Sequence, residues 1–119
     1  MQIESFLEQT LKPIALGSVW WDTPPQHVQF PCIVCQHIGG QVITTLENTR
    51  PSHRHARIQV VVWAKQRIEA NTIMYTIADT LRTIPLPTET YGGLTALYDD
   101  TVALRGARQD FGIWYPVDG

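Results

Sequence analysis

A chain of 119 residues with 44% apolar and 17% charged side chains has a globular composition and the length of one domain, taken as residues 1–119. Nine lysines and arginines against eleven aspartates and glutamates give a net charge of −2, which argues against a dedicated nucleic-acid binder, because that affinity comes from clustered cations displacing counterions. The most apolar run, residues 58–64, is far short of the roughly 20 residues that span a bilayer, and residues 1–5 lack the basic and apolar regions of a secretory signal. The expectation is a soluble protein made in a cytoplasm, with no membrane partner and with some of its charge-poor surface covered by another subunit.

Ile3, Phe6, Leu7 and Leu11 recur at the spacing of one helical face, with Glu4 and Glu8 early and Lys12 late, as the helix dipole favours. Pro13 ends that helix. Residues 19–21, Val-Trp-Trp, read as a short strand before the breaker Pro24-Pro25. Residues 30–38 read as a second strand, and residues 42–46 return as a third, in a hairpin across Gly39-Gly40. Residues 47–55 carry no apolar side chain and predict an exposed loop, mobile in a free subunit, that meets partners through Arg50, His53, Arg54 and His55.

Residues 56–64 form the clearest strand. Ile58, Val60, Val62 and Ala64 occupy one face, and Arg57, Gln59, Val61 and Trp63 the other. The second face mixes polar with large apolar groups, so part of it is covered, and Arg57 and Trp63 complete the candidate interface set. From residue 66 to 84 the period turns helical, with Ala70, Ile73, Met74, Ile77, Ala78, Leu81 and Ile84 on one stripe before Pro85 and Pro87. Tyr91-Gly92-Gly93 reads as a turn, residues 94–99 as a strand ending at Asp99-Asp100, and residues 102–115 contain the last strand. This order predicts an α+β fold, a mostly antiparallel sheet with two helices packed on one face.

Chemistry is sparse. Cys32 and Cys35 form a C-x-x-C, the one opening for a small enzyme, but the spacer lies in a strand, which points the two thiols to opposite faces. With His53 and His55 they make C-x2-C-x17-H-x1-H, outside the usual zinc spacings. His27 and His37 have no carboxylate that the sequence places nearby. Ser5, Ser18 and Ser52 lie in no nucleophile elbow, and Gly39-Gly40 and Gly92-Gly93 lack the flanking residues of a phosphate loop. Arg50, Arg54, Arg57 and Arg67 around Trp63 give a second alternative, a small nucleic-acid-binding module, but the interleaved aromatics of a base-stacking sheet are missing. No catalytic residue, metal or cofactor is expected.

Three segments carry a resemblance. They are residues 55–64, His-Ala-Arg-Ile-Gln-Val-Val-Val-Trp-Ala, running into a helix; residues 30–40 around Pro31, Ile33, Val34 and Gln36; and the ending Gln109-Asp110-Phe111-Gly112-Ile113-Trp114-Tyr115. In this order the chain resembles the tail-completion family of long-tailed phages and prophages, which includes tail terminators and tail-to-head joining proteins. Cys32 and Cys35, and the doublet Trp20-Trp21, depart from the family pattern. The resemblance implies a structural protein of the virion tail, assembled in the host cytoplasm. It implies a ring, commonly a hexamer, that caps the tail tube, stops its growth and docks on the head connector, with DNA passing through the lumen without specific binding.

Overall fold

The computed structural model describes residues 1–47 and 49–118. Helix α1, Ile3–Leu11, runs into a 3-10 turn, Lys12–Ala15, which Pro13 initiates. Strands β1, Val19–Trp21, β2, Cys32–His37, and β3, His53–Ala64, follow. Helix α2, Arg67–Leu81, then leads to β4, Thr88–Asp99, and β5, Leu104–Pro116. The sheet order is β1-β2-β3-β5-β4, antiparallel except where β1 runs parallel to β2.

Alternation along β3 decides which face is buried. Ala56, Ile58, Val60, Val62 and Ala64 are all buried, and across the ladder so are their partners Ile113, Phe111 and Ala107. Ile3, Leu7 and Leu11 of α1 and Ala70, Met74, Ile77 and Leu81 of α2 close the same core, which puts both helices on one face as the sequence implies. Each valine, leucine, isoleucine, methionine or phenylalanine among them contributes about 1.5–3 kcal/mol by leaving water. Arg67 fastens the start of α2, its guanidinium donating to the Gly106 and Leu97 carbonyls. The amino terminus of Met1 donates to the Val117 carbonyl at 3.0 Å, which joins the two chain ends.

Three segments depart from the sequence reading. Residues 42–46 form no strand. β2 pairs directly with β3 through residues 58–63, and the described residues between them, 38–47 and 49–52, form a long loop. The loop also ends earlier than residue 55, because His53, Arg54 and His55 already belong to β3, opposite Pro116, Tyr115 and Trp114; His53 and Arg54 stay exposed there, and His55 is buried. A polar sequence becomes strand here because β5 is long enough to pair with it. Tyr91-Gly92-Gly93 is no turn either. It lies inside β4, where the register slips so that residues 92–94 oppose Gln109 alone. The slip frees a carbonyl, and the buried Gln109 amide donates to that Gly92 oxygen at 2.9 Å.

Strands of 12 and 13 residues make the molecule long, 53 × 26 × 25 Å. Its radius of gyration is 15.4 Å. A compact chain of this length would give about 13.5 Å.

Candidate functional site

Two neighbouring surfaces hold most of the residues that the sequence singles out: the long loop and the sheet face turned away from the helices. The loop leaves β2 still paired, with Ile38 N–H donating to the Arg57 carbonyl at 2.8 Å and Arg57 N–H to the Gly39 carbonyl at 2.7 Å. Its far limb is tied by Val117 N–H donating to Ser52 O at 2.9 Å and by Arg50 reaching Asp118 at 3.3 Å. Between these ties Val42 and Leu46 point into solvent.

His55 holds the loop down. Its side chain is 1% exposed. Nδ1 accepts the Gln41 backbone N–H at 3.0 Å, so that nitrogen carries no proton. Nε2 then bears the hydrogen and faces the Tyr91 hydroxyl at 3.2 Å, with a Glu89 carboxylate oxygen at 4.0 Å. Trp114 stacks at a tilt, ring centroids 4.7 Å apart. Two glycines make room: a Cβ on Gly40 would lie 2.2 Å from the His55 carbonyl oxygen, and one on Gly112 2.7 Å from His55 Nε2. Partial burial, followed by the Glu89 carboxylate, holds the Tyr91 phenol above its ordinary range, with the Arg57 charge opposing.

Arg57 lies beside this cluster. One terminal nitrogen donates to Asp110 at 3.1 Å, and the guanidinium sits 4.5 Å from the Tyr91 ring centroid. Trp63 is on the same face but at the far end of β3, over Gly106, where a Cβ would meet its ring at 2.8 Å. The six residues chosen from sequence therefore do not form one patch. Arg50, His53 and Arg54 gather exposed at the loop end, Arg57 is half-buried in an ion pair, His55 is covered and Trp63 is remote. Tyr91, Glu89, Asp110 and Trp114 escape the sequence reading, because only strand pairing brings them to His55 and Arg57. His37, expected to lack a carboxylate, meets Glu4 at 3.3 Å through Nδ1.

Cys32 and Cys35 are both buried, on opposite faces of β2, Cys35 within the helix-side core and Cys32 opposite Trp63. Burial pushes Cys35 up to about 12, with Glu8 adding to it, and Cys32 up to about 11, against a lowering backbone hydrogen bond at Trp63. Both thiols are therefore neutral at physiological pH, and a neutral thiol is no nucleophile. Because the folded values are raised, this contribution to stability is complete below the unfolded value of 9.0 and is lost as pH rises toward 11 and 12. The urea midpoint should hold between about pH 7 and 8.5 and fall by about pH 10.5, and the doubly substituted Cys32→Ala, Cys35→Ala protein should fall less over that interval. Equal falls in the two proteins would show the thiols to be uninvolved.

Residues 10–115 match a family model described as Tail completion protein gp17. A comparison with curated proteins gives no match. Among the described residues no helix is long and apolar enough to cross a membrane.

Proposed function

We propose that this chain, which belongs to the tail completion protein gp17 family of phage tail proteins, caps the tail tube as a homo-oligomeric ring, ends its elongation and joins the tail to the head connector. The observation that carries this reading is the family match over residues 10–115, nearly the whole chain. The ring is most simply a hexamer, and the same role serves a phage or a prophage particle built in the host cytoplasm. The partners are further copies of the chain, the tube protein and the connector protein. DNA crosses the lumen without specific binding, and a net charge of −2 suits a passage that must not hold the phosphate backbone. The loop supports the reading, since it offers apolar side chains that its own subunit leaves uncovered.

An assembly assay tests it. Lysates of a phage lacking this protein should contain over-long tails and unjoined heads, and purified protein added back should restore normal joined particles. Tails of normal length attached to heads in the deletion lysate would end this proposal.

A further inference from the structure

The exposed apolar side chains are concentrated at opposite ends of the sheet. At the His53 end, the loop carries Val42, 86% exposed, and Leu46, fully exposed, with Ile43 partly exposed beside them. At the Ala64 end, an open cleft of about 610 Å³ lies between the end of the 3-10 turn and the start of α2. Ile14, Leu16, Pro31, Ile68 and Ile73 line it, and Glu69 stands at its rim. Leu16 is 94% exposed and Ile68 80%. Leu16 also adopts the left-handed region, φ 52°, where a glycine would be free of strain and a leucine is not. The chain thus holds a large apolar side chain out at the cleft against a conformational cost.

We infer that the Val42–Leu46 knob of one copy seats in the Ile14–Leu16–Ile68 cleft of the next, a head-to-tail contact that propagates around the ring; the inference rests on the ring reading above. The occupant is a second copy because both halves are present on this chain and are kept apart in it. Gln41 is tied to His55 and Ser52 to Val117, which keeps both limbs of the loop at the His53 end. β3 alone puts about 36 Å between that end and the cleft, at 3.3 Å per residue. Charge at the contact is mixed: Arg54 at the base of the knob is opposite in sign to Glu69 at the rim of the cleft, and Glu47, next to Leu46, has the same sign as Glu69. Knob and cleft are different surfaces, so the contact is heterologous, the kind that closes into a ring when its rotation permits.

Cysteine cross-linking tests the contact even where assembly is weak, since the native thiols are buried. Leu46→Cys and Ile68→Cys proteins are mixed at high concentration and oxidised, beside a control mixture of Leu46→Cys with Thr83→Cys, an exposed position beyond the end of α2. The 46–68 heterodimer should exceed the control cross-link by about tenfold, because a seated pair has a far higher effective concentration than a colliding one. A chain carrying both substitutions should give a covalent ladder that stops at the closed ring. Yields equal to the control, or disulfides mainly between two copies of the same variant, would overturn the knob-and-cleft contact. Rings seen in native mass spectra without 46–68 cross-links would overturn this contact alone and leave the ring standing. A 46–68 ladder that never closes would support the contact and count against the ring.

Discussion

Replacing Phe111 by alanine should remove about 3–5 kcal/mol of folding free energy, the range found for truncating a fully buried aromatic side chain. Phe111 is fully buried, sits opposite Ile58 on β3 and Thr90 on β4, and faces the core that both helices close. The sheet and helix side chains around it can relax into the space only in part, so the cavity adds to the lost transfer energy. A domain of this size has roughly 5–15 kcal/mol in total, so the variant should be marginal at physiological temperature. Urea denaturation followed by circular dichroism measures the loss. Tyr75→Ala, on the exposed side of α2, should change stability by no more than about 0.5 kcal/mol and serves as control. A loss under about 1 kcal/mol for Phe111→Ala would mean that the core does not centre on β5.

Gly40→Ala should release the loop while leaving the core intact. Gly40 has φ +152°, and its added Cβ would fall 2.2 Å from the His55 carbonyl oxygen and 2.9 Å from the carbonyl carbon. Those are backbone atoms of a paired strand, so the loop must move rather than the obstacle. Moving it breaks the Gln41-to-His55 hydrogen bond. Chymotrypsin, which cuts after leucine and large aromatic residues, is the readout, with Leu46 as the exposed target. Cleavage there should be faster in Gly40→Ala, and faster in His55→Leu, which keeps an apolar body but removes the acceptor. Trypsin should remain slow at Arg54 in all three proteins, since that residue is paired opposite Tyr115, and at Arg50, which precedes Pro51. Unchanged cleavage at Leu46 in both variants would show that His55 does not hold the loop.

The helix-side core was legible because its signal is local. The alternation of Ile58, Val60, Val62 and Ala64 needs no knowledge of a partner, nor does the stripe from Ala70 to Leu81, and both lie where expected. The site was less legible because its relations are distant in the chain. Arg57 and Asp110 are 53 residues apart and His55 and Tyr91 are 36 apart, so each meeting depends on pairing that no single segment encodes. Residues 42–46 have a strand's composition but receive no neighbouring strand, because residues 58–63 of β3 occupy that side of β2. His53, Arg54 and His55 show the converse, a polar run made strand by β5 alone. Gly92 and Gly93 read as a turn from composition, yet the strand continues through them with a slipped register.

That slip bears on how the chain avoids uncontrolled stacking at high local concentration. β4 is the one long outer strand of the described sheet, and a long straight outer strand is an open template for a stranger's backbone. Here the template is broken in the middle, where Gly92 takes φ +71° and three residues stand opposite one. A foreign strand could follow the ladder for only four or five residues before losing step, and β1 at the opposite border is just three residues long. The sheet is therefore a poor seed for fibres on both sides, and copies of the chain are left to associate through shaped side-chain surfaces, whose geometry limits how many can join.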